Sequence, residues 1–182
     1  MKKQQHLEDG WFFHNHAWHL LHEIIKLIPD DTESLLDCGA GTGIAAAVIR
    51  AIWPKMRVMV TDISEESADF WDIRNIPGIV SDSEINPYGD NRFDFVMSSH
   101  VLEHVNDPVL FVSEMIRVAK KRVVIVVPDG KVDDPTHKTI FDRRKFTDTL
   151  QAAALKNNMM LDYTIYPVYH PHINNLVGVI DL

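Results

Sequence analysis

A glycine-rich turn with an acidic residue directly in front of it is the most chemically specific stretch of this sequence. Residues 34–50 read SLLDCGAGTGIAAAVIR, so an apolar run ends at Asp37 and the glycines Gly39, Gly41 and Gly43 follow in alternation. Turns this poor in side chains let a ligand approach the backbone closely. Such turns bind phosphates, dinucleotides and at least one cofactor without phosphate. Glycine spacing and local charge distinguish between these ligands.

Two phosphate-binding patterns fit this turn poorly. A P-loop needs a lysine after its last glycine, and here Ile44 follows Gly43. A nicotinamide or flavin fingerprint, G-x-G-x-x-G, needs its third glycine at Ile44, so that helix and strand can pack closely, but Gly43 lies one place early. The Asp37 carboxylate would also repel a pyrophosphate, and it suits a ligand that carries positive charge.

The pattern DCGAGTG resembles the first motif of the class I S-adenosylmethionine-dependent methyltransferases, an acidic residue followed by G-x-G-x-G. Their cofactor has an ammonium and a sulfonium group and no phosphate, which agrees with the preference for a cation. The resemblance covers residues 33–127. The resemblance implies that six residues of this turn bind the cofactor: Asp37, Cys38, Gly39, Ala40, Gly41 and Gly43.

Later motifs extend the resemblance in the order of the chain. Asp62 follows the VMVT run, where family members accept both ribose hydroxyls, and Ile63 would then pack on the adenine. Asp82 and Ser83 match the position where a carboxylate and a backbone amide bind the adenine edge. Ser98 is assigned to the lining of the cofactor pocket.

The run FDFVMSSHVLEHV, residues 93–105, resembles the fourth strand and following turn of the small-molecule methyltransferases. Methyl transfer from a sulfonium is an in-line displacement, so alignment and exclusion of water dominate and a base is optional. If a base exists, His100 is the first candidate because it follows this strand directly. His137, in the loop after the fifth strand, is the second, and His104 is the third.

The elements that must position these residues alternate between strand-like and helix-like segments, which predicts a parallel sheet covered by helices. The last two strands lie too close in sequence for a helical crossover and should form an antiparallel edge pair. With the resemblance, the expected fold is a single α/β domain with a Rossmann-like, doubly wound, seven-stranded, mostly parallel sheet and an antiparallel C-terminal hairpin. The predicted strands are 34–38, 57–61, 78–81, 93–98, 122–127, 161–166 and 173–180.

Residues 1–32 are expected to form a helical lid or cap on a core of residues 33–182, because the run GWFFHNHAWHLLH is rich in aromatic and histidine side chains. The alternative is an amphipathic helix on the sheet edge, with Trp11 and Trp18 in the core. Its histidines lack an acidic or cysteine ligand beside them, so no metal site is predicted. The tripeptide NPY, residues 86–88, precedes the fourth strand and is interpreted as a loop.

Composition limits the setting and the partners. The 182 residues carry a net charge of −8 and a single cysteine, and the sequence has neither an apolar run of membrane length nor a secretory signal pattern. We therefore expect a cytoplasmic protein that binds neither membrane nor nucleic acid and acts on a small-molecule methyl acceptor. A module that binds the cofactor without catalysis and an NAD-dependent oxidoreductase remain as alternatives.

Overall fold

The computed structural model describes residues 10–82, 84–160, 162–169 and 173–182. Helices and strands alternate along most of the chain, as the sequence predicts. Within the described residues no helix lies between the third and fourth strands or between the last two. In chain order the elements are α1 (Gly10–Lys26), β1 (Ser34–Cys38), α2 (Ile44–Ile52), β2 (Arg57–Asp62), α3 (Glu65–Ile73), β3 (Gly78–Val80), β4 (Phe93–Ser99), α4 (Pro108–Val118), β5 (Ala119–Pro128), α5 (Arg143–Lys156), β6 (Asp162–Val168) and β7 (Asn175–Asp181).

The strands form one seven-stranded sheet in the order β3-β2-β1-β4-β5-β7-β6. Strands β1 to β5 are parallel to one another, and β7 runs antiparallel to both β5 and β6. The predicted fold, including the antiparallel C-terminal pair, is confirmed. The order reverses between β1 and β4, and ligands of open α/β sheets bind at the carboxyl ends of the strands at such a point.

Two apolar layers cover the sheet. Helices α1, α2 and α3 pack on one face, with Ile24, Ile49 and Trp71 buried there, and helices α4 and α5 pack on the other, with Phe111 and Phe146 buried. A central parallel strand is buried on both sides, which explains why β5 reads as a continuous apolar run. The helices therefore hold the sheet from both faces and leave its carboxyl edge to the loops.

The connection from β3 to β4 departs from the expected pattern of strands joined by helices, since its described residues form turns. Arg117 of α4 holds this segment by donating hydrogen bonds to the carbonyl oxygens of Asn86 and Tyr88, each at 3.0 Å. The same guanidinium pairs with Asp90 and Glu114 at 2.7 Å. One side chain thus fixes a segment that would otherwise need a helix to pack on the sheet.

The predicted helix starts are correct at two positions and wrong in detail at one. Asp107 and Asp142 each accept a hydrogen bond from the backbone N–H three residues further on, at 2.9 and 2.7 Å. Ser64 stands at the N-cap position of α3, but its hydroxyl donates to the Glu66 carboxylate at 2.6 Å and makes no cap bond. The Glu66 carboxylate is a strong acceptor, and the Ser64 hydroxyl donates its hydrogen bond there.

Helix α1 is anchored by its second half. Leu20, Leu21 and Ile24 are buried against the sheet, whereas the Trp18 side chain is 51% exposed, so the alternative that placed Trp18 in the core is wrong. The side chains of Trp11 and of the neighbouring histidines lie outside the described part. No helix in the described ranges combines the length and the apolar character needed to cross a bilayer.

Candidate active site

The glycine turn after β1 takes a conformation that few other residues adopt. Gly39, Gly41 and Gly43 have φ values of 78°, 51° and 74°, all in the left-handed region. At Gly39 a side chain is excluded by packing as well, because a Cβ there would lie 2.3 Å from a methyl carbon of Val101. The alternating glycines are therefore required by the backbone path of the turn.

Neighbouring elements hold this turn in place from two sides. The Asp62 carboxylate, at the end of β2, accepts hydrogen bonds from the Gly41 amide at 2.8 Å and the Ser64 amide at 2.9 Å. On the other side, the Trp71 indole N–H donates to the Gly41 carbonyl oxygen at 2.7 Å. The turn is thus fixed before any ligand binds, which lowers the entropic cost of binding.

Asp37 is a buried acid directly before the glycine turn. Its side chain is 3% exposed at the carboxyl end of β1. Burial, together with the nearby Asp62 carboxylate, raises the pKa of Asp37 to about 7. An anion that is this costly to bury gains strongly from a positively charged neighbour. The site therefore favours a cationic ligand.

Two of the residues predicted to bind the cofactor are occupied by bonds within the protein. The Ser98 hydroxyl donates to the Cys38 carbonyl oxygen at 2.9 Å, and both residues are fully buried. The Cys38 sulfur accepts a hydrogen bond from the Asn86 side-chain amide at 3.6 Å. Burial raises the pKa of the Cys38 thiol to about 12. Cys38 is therefore inert as a thiol, and any contact that it makes with a ligand comes from its backbone.

The remaining predicted residues lie in the glycine turn itself or follow the strands β2 and β3. Ala40 joins the turn to β2, because its amide donates to the Thr61 carbonyl oxygen at 3.0 Å. Ile63 is 70% exposed just after β2, which leaves an apolar surface open beside the turn. The Asp82 carboxylate accepts a hydrogen bond from the Glu84 amide at 3.0 Å. Ser83 lies outside the described residues.

The histidines proposed as bases converge at the carboxyl end of β4. His100 has a left-handed backbone, with φ 57°, and its Nδ1 is 3.3 Å from a carboxylate oxygen of Glu103. The Nε2 of His104 is 4.0 Å from the same oxygen. The His104 and His137 rings meet edge to face with centroids 4.8 Å apart. The structure therefore brings a residue of the loop after β5 to two residues of the turn after β4 and forms one histidine cluster: His100, His104 and His137.

Glu103, at the centre of this histidine cluster, is the residue that sequence reasoning missed. Its side chain is fully buried, although it belongs to a polar turn. The available signal was its spacing, because residues three or four apart lie on one side of a helical turn, and Glu103 and His104 follow His100 by three and four residues. Burial also lowers the pKa of His137, so this imidazole is neutral at pH 7.

Val101 joins the histidine cluster to the glycine turn. It follows His100 directly, and its methyl groups occupy the space where Gly39 lacks a side chain. The two halves of the site are therefore in van der Waals contact. The histidine cluster therefore lies beside the glycine turn.

This arrangement defines a class I methyltransferase fold with a turn that suits S-adenosylmethionine. The cofactor's cationic end fits a buried acid whose pKa is raised, and the open Ile63 surface fits an adenine. The Methyltransferase domain family matches residues 36–127, which is about half of the chain. The chain belongs to this family and carries the domain of an S-adenosylmethionine-dependent methyltransferase.

Individual relatives agree with this family membership. The chain is 32% identical over 100 residues to malonyl-[acyl-carrier protein] O-methyltransferase of Herminiimonas arsenicoxydans, in a match that covers 55% of this chain and 37% of that protein. The chain thus spans well under two thirds of the length of this curated relative.

Solved structures show the same fold at low identity. A methyltransferase from Aquifex aeolicus that depends on S-adenosylmethionine superposes with a TM-score of 0.75 and 19% identity, covering 100% of this chain and 98% of that one. A chain from the complex of the Haloferax volcanii Trm112 methyltransferase activator with a methyltransferase gives a TM-score of 0.76 and 16% identity, covering 93% and 91%.

Proposed function

We propose that this domain transfers a methyl group from S-adenosylmethionine to a small-molecule acceptor. The observation that supports this most is the buried Asp37 carboxyl with its raised pKa beneath three left-handed glycines. When bound, the cofactor supplies a methyl group that leaves its sulfonium sulfur for a lone pair of the acceptor, with S-adenosylhomocysteine as the second product.

The donor side of the site binds and orients the cofactor. Asp37 attracts its positive charge, and the backbone amides of the glycine turn approach it closely. Asp62 accepts the ribose hydroxyls in exchange for one of its two present amide bonds. Ile63 packs on the adenine, and Asp82 with the Ser83 amide binds the adenine edge.

The acceptor side of the site is the histidine cluster. His100 and His137 stand where the acceptor must meet the donor, because Val101 brings this cluster against the glycine turn. An imidazole that is neutral at pH 7 can take a proton from a hydroxyl or an ammonium acceptor as it reacts. We assign proton removal to His100 or His137, with alignment as the larger contribution to the rate.

Residues 1–32 close over this site as a cap in our proposal, with residues 33–182 as the core of a single domain. The second half of α1 anchors the cap, since Leu20 and Ile24 are buried against the sheet. The exposed Trp18 is then available to cover bound ligands and exclude water.

An assay for S-adenosylhomocysteine release across an acceptor panel tests the function. The curated relative is named for O-methylation, so the panel begins with carboxylic acids and hydroxyl compounds and continues with amines. We expect turnover with at least one acceptor class and a clear loss in H100Q, with D72N as control because Asp72 is an exposed residue of α3. Cofactor binding without turnover on any acceptor would favour the non-catalytic alternative.

A further inference from the structure

Three side chains in the histidine cluster have the spacing of a metal site. Glu103, His104 and His137 each offer one ligand atom, and these atoms all lie within 4.8 Å of one another. The first two come from the turn after β4, and the third comes from the loop after β5. Two imidazoles and one carboxylate make up the ligand set of catalytic zinc sites that keep a coordination position open.

The carboxylate at the centre of this set is buried and has histidine nitrogens as its nearest polar neighbours. Glu103 is 0% exposed, and neither of its side-chain oxygens accepts a hydrogen bond from a residue that the structure describes. Its nearest polar neighbours are the Nδ1 of His100 at 3.3 Å and the Nε2 of His104 at 4.0 Å. A buried carboxylate is costly unless it is paired or coordinates a metal.

Thr136 sets which nitrogen of His104 carries the proton. The Thr136 hydroxyl donates its only proton to the Asp134 carboxylate at 2.6 Å, so it can only accept from the His104 Nδ1, 3.0 Å away. The Thr136 carbonyl oxygen, 3.3 Å from the same nitrogen, is a second acceptor. The His104 Nδ1 therefore carries hydrogen.

The Nε2 of His104 faces the Glu103 carboxylate, 4.0 Å from one of its oxygens. Metal-ligating histidines are held in the same way, with the second ring nitrogen donating to a carbonyl, carboxylate or hydroxyl oxygen. The orientation of His104 therefore suits a metal ligand.

The two segments that carry the three side chains are fixed to each other by backbone bonds. The amides of Lys138 and Thr139 both donate to the Glu103 carbonyl oxygen, at 2.8 and 3.1 Å. The Lys138 ammonium also donates to the Asn106 side chain at 2.8 Å. The three side chains therefore converge without any rearrangement of the loop after β5.

We propose that Glu103, His104 and His137 bind one divalent transition-metal ion of the zinc class. Mg²⁺ prefers an all-oxygen shell, whereas two imidazoles favour zinc, cobalt or iron. Three protein ligands leave a position for an oxygen of the acceptor, next to the glycine turn. With His137 as a metal ligand, proton removal from the acceptor falls to His100. The role in acceptor binding rests on the proposed function, but the metal site itself does not.

Cobalt titration of the metal-free protein tests the site, because Co²⁺ replaces zinc and absorbs visible light strongly in low-coordinate sites. We expect one equivalent of Co²⁺ to give intense visible bands in the wild type. In E103Q and H137A the affinity should fall at least about tenfold, with H22A as the matched control outside the site. Variants that titrate like the wild type would overturn the assignment.

Thermal unfolding keeps the test decisive if a variant folds poorly. One equivalent of Co²⁺ should raise the Tm of the wild type, and a wild type with neither bands nor a Tm shift refutes the site whatever the variants do. In that case a protonated histidine is the partner of Glu103. Calorimetry with S-adenosylmethionine on the same sample separates the two proposals, since cofactor binding without cobalt binding refutes only the metal site, and the reverse refutes only the methyltransferase function.

Discussion

The Asp62 carboxylate and the Gly41 amide are joined by a hydrogen bond of 2.8 Å that ties the end of β2 to the centre of the glycine turn. If the ribose is also held here, D62A should weaken S-adenosylmethionine binding by roughly 1–3 kcal/mol, because charged hydrogen bonds are lost. Calorimetry measures this, with D69A on the exposed side of α3 as control. A folded D62A protein with unchanged affinity would show that the ribose lies elsewhere.

The raised pKa of Asp37 predicts that cofactor binding depends on pH. A cationic ligand prefers the ionised carboxyl, so binding lowers this pKa from about 7 and releases a proton at lower pH. The affinity should therefore fall as pH drops below about 7, by up to about tenfold per pH unit. Titrations in two buffers of different ionisation enthalpy detect the proton, and D37N should show weak binding without it.

Without cofactor, the Asp37 carboxyl should make the folding stability depend on pH. The protonated form, and not the ionised form that the cofactor prefers, then stabilises the fold. The folded pKa of about 7 lies above the ordinary value of 3.8 for this carboxyl, so its stabilising contribution is complete at low pH and is lost as pH rises through about 7. D37N should therefore be more stable than the wild type at pH 8 and lose this advantage in acid. D72N, at an exposed position of α3, should follow the wild type at every pH.

Gly39 and Gly41 form a matched pair for separating backbone strain from packing. Both have positive φ, but a Cβ at Gly39 would lie 2.3 Å from Val101, whereas a Cβ at Gly41 meets nothing within 4 Å. G41A should cost about 1–2 kcal/mol of folding free energy through strain alone. G39A should cost about 1–3 kcal/mol more because of the clash. Equal unfolding free energies in denaturant titrations would refute the packing role of Val101.

Arg117 should stabilise the domain through the segment between β3 and β4. R117A removes bonds to two carbonyl oxygens and leaves the half-buried Glu114 carboxylate without its partner. We expect a loss of about 1–3 kcal/mol in the free energy of unfolding. R144A, at an exposed position of α5, is the control. If R117A unfolds at the same denaturant concentration as R144A, the segment is held by other contacts.

The fold and the glycine turn could be predicted from the sequence because their signals are local. Apolar runs mark the strands, and the positions of Gly39, Gly41 and Gly43 follow from a turn whose φ values exclude other residues. The place of Asp37 in a buried strand could be predicted as well, because Asp37 ends an apolar run. Its contact with the cofactor stays a prediction.

Side-chain partners between distant segments could not be predicted in this way. The contact between His104 and Thr136 joins residues 32 positions apart, and no local pattern indicates it. Glu103 read as a polar turn residue, yet the loop after β5 covers it completely. Ser98 likewise lies at the end of a strand, where the sequence does not indicate a partner for its hydroxyl. In the folded sheet this hydroxyl donates a hydrogen bond to the Cys38 carbonyl oxygen.

The most direct test of the central claim is a calorimetric titration of the wild-type protein with S-adenosylmethionine and, separately, with NADH. A buried acid beneath the glycine turn predicts one equivalent of S-adenosylmethionine bound with micromolar affinity and no measurable binding of the dinucleotide. Micromolar binding of NADH together with no binding of S-adenosylmethionine would contradict the account.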